Sequence, residues 1–232
     1  MTTTPVALSR DLPAQRVMRA LVGDTDLAIW RSASGQVQAW ENRCPHRGMR
    51  LSYGFVRGDS LACAYHGWHY NCEAVCHYIP AHPELEPPAS IRPVVFNVVE
   101  QDGLLWVNTE NDATVPQLPR DCVGVRSIMF DCVASVAQKK ISGTQLDDES
   151  GKSLTVRQVS DVPLILSYGN QQSSDSVLLL FQPLGSSGVV LHVIADQSWS
   201  VEGRVGISRW CEALRRSAEM QETISPQKES QS

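Results

Sequence analysis

The stretch from Trp40 to Tyr70, WENRCPHRGMRLSYGFVRGDSLACAYHGWHY, holds two short segments that each combine a cysteine with a histidine. The first is Cys44-Pro-His46 and the second is Cys63-Ala-Tyr-His66, so the spacing is C-x-H followed by C-x-x-H. Thiolates and imidazoles are ligands for zinc, iron and iron–sulfur clusters. Two loops that each supply one Cys and one His therefore predict a metal centre, which is either a single ion or a small cluster.

A structural zinc site is one interpretation, because two Cys and two His are also a zinc ligand set. Zinc sites usually take both Cys from one knuckle and both His from another, whereas here each loop gives one of each. Gly48 and Gly67 each lie near a histidine, and we expect each loop to turn tightly there and, if the centre is a cluster, to point backbone N–H groups at its sulfides. Trp68 is expected to form an apolar lid that limits water.

In CPHRG and CAYHGW, this segment closely resembles the two cluster-binding loops of Rieske [2Fe–2S] proteins of the oxygenase type. In that family the two Cys hold one iron and the two His hold the other. The resemblance implies a Rieske-type [2Fe–2S] cluster with the following ligands: Cys44, His46, Cys63 and His66. Respiratory-chain Rieske proteins carry an extra Cys in each loop, and these two form a disulfide. Met49 and Ala64 stand in the matching neighbourhoods here, so the chain resembles the oxygenase and ferredoxin branch.

Composition excludes several classes of function. The 232 residues are 42% hydrophobic and 19% charged, an ordinary globular mix that allows one large or two small domains. The net charge of −5 gives no electrostatic case for nucleic acid or for an anionic membrane surface. We find no signal-peptide core and no stretch near the ~20 apolar residues of a membrane span. A cytoplasmic protein without a disulfide framework is expected, since five of the seven Cys lie outside the ligand set.

The pattern of short apolar runs predicts a mainly β (α+β) fold. Residues 1–112 are predicted to form a small β domain, with Ser32–Gly35 and Asp102-Gly103 as hairpin turns. The expected strands beside these turns are Leu27–Trp30, Val37–Trp40, Val94–Glu100 and Leu104–Val107. A short helix is predicted from Leu12 to Leu21. The proline-rich stretch Pro80–Pro93 is expected to run over the surface.

Residues 113–222 are predicted to form a second domain, a helix on an antiparallel sheet, after a polar linker at 108–121. The expected strands are 128–137, 154–157, 162–166, 177–181 and 189–194. A C-terminal helix is predicted from Ile207 to about Glu222, because apolar residues recur there at helical spacing. Residues 223–232 are predicted to be a disordered tail.

Terminal Rieske oxygenases have the same order of domains, and the second region resembles a shortened form of their catalytic domain. In the family that domain holds a mononuclear ferrous iron through two His and one carboxylate, with both His on one helix. Only His192 lies beyond the linker here, and residues 137–154, where the pair is expected, contain no His. The iron-binding triad is therefore predicted to be missing.

These observations predict an electron-transferring component of a multicomponent oxygenase. It would receive electrons from a separate reductase or ferredoxin, since no flavin or nicotinamide motif is visible, and pass them to the mononuclear iron of a partner subunit in an oxygenase assembly or homo-oligomer. Two alternatives stay open. One is a self-contained oxygenase with unconventional ligands such as His192 and acids; the other is a binding protein that senses redox state through the cluster.

The remaining polar candidates are expected to be structural or solvated. His192 lies in an apolar run and is more typical of a hydrogen-bonded core residue than of a ligand. The acids at 147–149 are expected in a solvated turn. His69, His77 and His82 are interpreted as loop residues near the cluster, and Cys72 and Cys76 as ordinary thiols.

Overall fold

The computed structural model describes residues 3–109, 114–118, 121–169, 176–185 and 188–222, with only the backbone of residues 221 and 222. These residues form two compact units that meet in sequence between Pro116 and Gln117. The predicted domain boundary between residues 112 and 113 and the predicted tail at 223–232 lie outside the described residues. The mainly β fold, with a helix-on-antiparallel-sheet second unit, is confirmed.

The first unit contains ten strands in two sheets. The strands are β1 (Thr4–Leu8), β2 (Arg16–Val22), β3 (Thr25–Arg31), β4 (Val37–Glu41), β5 (Phe55–Arg57), β6 (Ser60–Ala62), β7 (His69–Asn71), β8 (Cys76–Tyr78), β9 (Val95–Gln101) and β10 (Leu104–Asn108). One sheet has six strands in the order β1-β10-β9-β4-β3-β2, and the other has four in the order β5-β6-β7-β8. All neighbouring strands are antiparallel, as expected for a chain of hairpins.

Both predicted hairpins of this unit are confirmed. β3 pairs with β4 around Ser32–Gly35, and β9 pairs with β10 around Asp102 and Gly103. Asp102 and Gly103 have φ of 54° and 73°, the left-handed conformations that a tight two-residue hairpin requires. Their residue types therefore decide this turn locally.

The predicted helix from Leu12 to Leu21 is wrong, because most of that segment is strand β2. β2 pairs with β3 from Arg16↔Arg31 to Val22↔Thr25. Successive side chains go to opposite faces: Val17 packs against the core beside the Cys/His loops, whereas Met18 and Ala20 pack against the other core of the unit. Because apolar side chains lie on both faces of β2, its sequence lacks the strict alternation of apolar and polar residues that marks a strand, and the same spacing is compatible with a helical stripe.

The two Cys/His loops connect strands of these sheets. The first loop follows β4, and the second connects β6, which ends at Ala62, to β7, which begins at His69. Under the loops lies a core of large side chains that includes Trp30, Trp40 and Tyr70, all with no exposed surface. The loops therefore rest on a rigid apolar base.

The second unit is one antiparallel sheet with two helices against one face. Its strands are β11 (Cys122–Phe130), β12 (Thr155–Asp161), β13 (Leu164–Gly169), β14 (Val177–Leu184) and β15 (Gly188–Asp196), in the order β11-β15-β14-β13-β12. The helices are α1 (Ala134–Ser142) and α2 (Val201–Glu222). The core between helices and sheet includes Ile141, Ile207 and Leu214 from the helices, with Phe181 and Leu191 from the sheet.

Two predicted elements of this unit need correction. The expected strand 128–137 ends at Phe130, and α1 begins at Ala134, where the sequence changes to the good helix formers Ala, Gln and Lys. The expected helix from Ile207 begins earlier, at Val201. In the part of the chain that the structure describes, no helix is both long enough and apolar enough to cross a membrane.

Candidate metal centre

The first Cys/His loop is closed by two backbone hydrogen bonds. The N–H of Cys44 donates to the carbonyl of Met49 (2.8 Å), and the N–H of Gly48 donates back to the carbonyl of Cys44 (2.8 Å). Gly48 has a φ of 74°, a conformation that glycine adopts at little cost. The glycine therefore closes the loop.

The second loop repeats this arrangement. Cys63 donates to Trp68 (3.0 Å), and Gly67, with a φ of 68°, donates to Cys63 (2.9 Å). A Cβ atom on Gly67 would lie 3.0 Å from Cγ of Pro80, so the start of the proline-rich stretch packs directly on this loop. The two loops share one backbone geometry although the histidine occupies a different position in each.

The N–H groups of the two glycines are used inside the loops, where each donates to the carbonyl of the loop's cysteine. The backbone N–H groups that point at sulfur come from the second and third residues after each cysteine: His46 and Arg47 for Cys44, and Tyr65 and His66 for Cys63. N–H groups aimed at a thiolate stabilise its negative charge.

The two cysteine side chains meet in the interior. Both residues are only 2% exposed, and the Cys63 thiol donates a hydrogen bond to Sγ of Cys44. That bond, with further donors around Cys44, lowers the pKa of Cys44 to about 5. The same bond, together with burial, raises the pKa of Cys63. The shared hydrogen bond therefore stabilises a single negative charge on the pair, and a metal that binds both sulfur atoms must displace the remaining proton.

Tyr70 supplies a side-chain hydrogen bond to this pair. Its hydroxyl lies 3.2 Å from Sγ of Cys44, and the residue has no exposed surface. Burial and the nearby sulfur raise the pKa of Tyr70, so the hydroxyl keeps its proton and donates it. The sequence motif gave no signal for this residue, since Tyr70 lies beyond the loop on β7.

The two histidines form a second pair nearer the surface. The imidazole rings of His46 and His66 lie 4.8 Å apart between centroids. Trp68 stacks on His46 at 4.0 Å, and Tyr65 lies 3.8 Å from His66. His46 is partly buried whereas His66 is exposed. Trp68 therefore covers one imidazole, as expected of an apolar lid, and the other faces solvent.

These donors fit a two-iron cluster. The thiols contact each other in the interior and the imidazoles contact each other toward solvent, so the four groups separate into a sulfur pair and a nitrogen pair. A tetrahedral zinc site instead needs all four atoms around one ion. Within the described ranges, no three His, Cys, Asp or Glu side chains are grouped as ligands of a single ion.

The other histidines near the loops are placed around β7 and β8. The His69 ring lies 6.1 Å from His77 and 5.2 Å from Tyr78, and His77 Nε2 lies 2.8 Å from the Ser60 hydroxyl. Burial, with the neighbouring His77 and Arg57, lowers the pKa of His69. His82 is exposed.

His192 is a buried core residue of the second unit. It is 1% exposed, its Nε2 lies 3.0 Å from the amide oxygen of Gln182, and its Nδ1 lies 2.9 Å from the Ser127 hydroxyl. The amide oxygen accepts from Nε2, which leaves Nδ1 to accept from the serine. Both ring nitrogens are thus engaged by protein groups.

The acids at 147–149 divide into different roles. Asp148 accepts from the backbone of Ser150 and Lys152 in an exposed turn. Glu149, which was expected to be solvated, accepts from the backbone N–H (3.2 Å) and the hydroxyl of Ser200, the residue before α2. That contact fixes the start of the helix.

Comparison with known proteins agrees with this centre. The family model for the Rieske [2Fe-2S] domain matches residues 2–112. Oxidoreductase NdmD of Pseudomonas putida is 46% identical over 103 residues, which cover 44% of this chain and 18% of NdmD. The 4beta-methylsterol monooxygenase of Methylococcus capsulatus is 34% identical over 125 residues, which cover 49% of this chain and 33% of that enzyme. The matched part is therefore a minor portion of each relative.

The likeness to solved structures extends over both units. NdmA of Pseudomonas putida CBB5 matches with a TM-score of 0.72 at 19% identity, over 98% of this chain and 82% of that chain. Dicamba monooxygenase bound to 3,6-dichlorosalicylic acid matches with a TM-score of 0.70 at 17% identity, over 96% and 87%. At such low identity this likeness shows the fold alone. The family model therefore shows a Rieske [2Fe–2S] domain over residues 2–112, and the chain as a whole shares the fold of NdmA and dicamba monooxygenase.

Proposed function

We propose that this chain is an electron-transferring component of a multicomponent oxygenase, and that Cys44, Cys63, His46 and His66 hold its cluster. The sulfur pair would bind one iron and the nitrogen pair the other, as in Rieske centres generally. The cluster, when bound, accepts and releases one electron at a time. The observation that supports the assignment is the separation of the four donors into a buried thiol pair and an imidazole pair nearer solvent.

The surrounding residues have distinct roles in this proposal. Tyr70 and the four loop N–H groups direct hydrogen bonds at the sulfur atoms and so stabilise their negative charge. Trp68 shields His46 from water. His66 stays exposed and gives the shortest route for an electron between the site and a protein docked on the surface.

The electron acceptor is proposed to be the mononuclear iron of a partner subunit. The sequence has one histidine after residue 112, whereas a facial triad of the family type needs two. In that histidine, His192, one ring nitrogen is hydrogen-bonded to Gln182 and the other to Ser127. Electrons are proposed to enter from a separate reductase or ferredoxin.

The test is iron and acid-labile sulfide analysis of the purified full chain, combined with the EPR spectrum after reduction. We expect two irons and two sulfides per chain and a spectrum of a mixed Cys/His cluster. Cys44→Ser should abolish that spectrum, whereas Cys72→Ser, which removes a thiol outside the proposed ligand set, should preserve it. A zinc content with no sulfide would overturn the assignment.

Activity measurements then separate the alternatives. The loaded chain with a reductase alone should not hydroxylate or demethylate any substrate, and should support turnover only with an oxygenase subunit that has its own mononuclear iron. Three irons per chain, or turnover without a second subunit, would favour a self-contained oxygenase. Failure to associate with any oxygenase subunit in the native cell would favour redox sensing.

A further inference from the structure

The stretch of sequence that holds the first Cys/His loop is positively charged, although the chain as a whole is negative. Between residues 42 and 58 the sequence contains four arginines and no acidic residue, although the chain has a formal net charge of −5. All four side chains are exposed: Arg43, Arg47, Arg50 and Arg57. We call these arginines, together with the exposed rings of Tyr53, Phe55 and Tyr65, the cluster-side surface.

Each arginine is tied to the loops by position or contact. Arg47 directly follows His46, and the guanidinium of Arg43 packs against Gly48, where a Cβ would lie 3.4 Å from Nε of Arg43. Arg50 donates to the Tyr53 hydroxyl at 3.3 Å. The positive charges therefore lie beside the two loops.

Arg57, Phe55 and Tyr65 of the cluster-side surface lie close to the second loop, partly through the four-stranded sheet β5-β6-β7-β8. Arg57 lies over the ring of Phe55 at 4.9 Å, and Phe55 pairs with Ala62, the residue before Cys63. Tyr65 lies on the exposed His66. Tyr53, Phe55 and Tyr65 are 62%, 42% and 54% exposed, which is unusual for large aromatic side chains of a β domain.

This composition is typical of a protein-binding surface. Arginine and aromatic residues are enriched at interfaces while lysine is depleted, and every cation of this segment is arginine. One arginine is partly neutralised, because Arg50 lies 3.5 Å from Asp26. Arg43 lines the same surface depression as Asp24, Asp26 and Glu41. Among the described residues, Arg47 and Arg57 form no salt bridge, and both side chains are exposed.

We propose that the cluster-side surface docks an acidic electron-carrier protein, so that electrons enter through the imidazole side of the centre. This inference rests on the proposed function. Opposite charges raise the rate at which two proteins meet, and the exposed aromatic rings then exclude water at the point of contact. A basic carrier would be repelled by the same arginines.

The test uses the full chain with its cluster and a pre-reduced, acidic plant-type ferredoxin as the probe. One electron passes from the ferredoxin, which is oxidised, to the oxidised cluster, which is reduced; plant-type ferredoxins have lower potentials than Rieske centres, so the transfer is favourable. Stopped-flow absorbance gives the second-order rate constant. Arg50→Glu/Arg57→Glu is the test variant, and Arg209→Glu, at an exposed position of α2 in the second unit, is the control.

At an ionic strength of about 20 mM, the double variant should be reduced at least tenfold more slowly than the wild type, with Arg209→Glu close to the wild type. The difference should largely disappear at about 0.5 M salt, because screening then acts over a few ångströms. Equal rates for the double variant and the wild type, or equal slowing by Arg209→Glu, would overturn the proposal.

A neutral photoreductant, deazaflavin, separates this proposal from the function on which it rests. It should give the same reduced EPR signal in all variants, since it does not depend on the surface charge. A normal signal with unchanged ferredoxin rates would refute the docking surface alone. The absence of any cluster signal in the wild type would refute the proposed function, and the docking surface with it.

Discussion

The indole ring of Trp68 lies parallel to the imidazole ring of His46, with 4.0 Å between ring centroids and 8° between ring planes. The two residues come from different loops, so this stack joins the loops where no disulfide does. It also covers one face of an imidazole that we propose as an iron ligand. The contact should therefore control both water access and the cohesion of the two loops.

Replacing Trp68 with Ala should accelerate loss of iron. We expect the half-life of the visible absorbance in a chelator to fall severalfold, because water reaches His46 and the loops lose a stacking contact. Trp68→Phe should behave nearly as the wild type. Trp210→Ala, which removes a ring packed on Tyr168 in the second unit, is the control and should retain iron normally. Equal half-lives for Trp68→Ala and wild type would contradict the proposed role.

Replacing Gly67 with Ala should destabilise the first unit more than a comparable change elsewhere. Gly67 has a φ of 68° and its new Cβ would meet Pro80 at 3.0 Å, whereas Gly58 has a φ of 58° and nothing within 4 Å. Gly58→Ala should cost about 1 kcal/mol from backbone strain alone, and Gly67→Ala should cost about 2 kcal/mol or more.

Thermal denaturation followed by circular dichroism measures this difference. Adding Pro80→Ala to Gly67→Ala should recover part of the loss, because it removes the steric contact and leaves the strain. If both glycine variants melt at the same temperature, the contact between Pro80 and the loop does not contribute to the destabilisation caused by Gly67→Ala.

Replacing Tyr70 with Phe should lower the reduction potential of the centre. The Tyr70 hydroxyl donates to Cys44 at 3.2 Å, and a hydrogen bond to sulfur stabilises the extra negative charge of the reduced state. Loss of one such bond, worth about 1 kcal/mol, corresponds to a decrease on the order of 50 mV. A spectroscopic redox titration gives the value. Tyr78→Phe, on the partly exposed side of the small sheet, is the control; an unchanged potential for Tyr70→Phe would exclude the effect.

The carboxylate of Glu212 should stabilise the second unit in a pH-dependent way. Its contacts with Arg215 (2.6 Å) and Arg216 (3.2 Å) lower the pKa of Glu212 from 4.5 to about 2. Because the folded-state pKa is lowered, the stabilisation is fully present above about pH 4.5 and is lost as the pH falls toward 2.

Glu212→Gln should therefore lower the melting temperature at pH 7, and the difference from wild type should shrink steadily below pH 4.5. Differential scanning fluorimetry over that range is the measurement. Glu86→Gln, an exposed acid of the proline-rich stretch, removes the same charge and should show no such dependence. A difference that is constant with pH would show that the ion pairs are not responsible.

Replacing His192 with Ala should destabilise the chain without changing its iron content. The substitution removes the hydrogen bonds of His192 to the buried Gln182 amide and to the partly buried Ser127 hydroxyl, at a cost of about 1 kcal/mol for each bond lost. Urea unfolding and iron analysis on the same sample test both statements. His82→Ala, at an exposed position, is the control. A variant that loses one iron per chain would instead support His192 as a ligand.

The sequence alone determined the kind of domain and the kind of cofactor. The two short motifs predict a metal centre by their residue types, and their resemblance to Rieske loops indicates the Rieske [2Fe–2S] domain that the family model matches. The loop turns around Gly48 and Gly67 depend on residues only a few positions apart. The mainly β class and the hairpin at Asp102-Gly103 follow for the same reason, because turn chemistry is local.

Only the tertiary structure decided what surrounds the centre. It brings the hydroxyl of Tyr70, on strand β7, to Cys44. It also stacks Trp68 on His46 of the other loop and packs Pro80 against Gly67. It also makes Arg16–Val22 a strand, because that segment pairs with β3 and packs apolar side chains against two cores. These contacts depend on strand register and on the packing of side chains that lie far apart in the sequence, which local residue patterns do not specify.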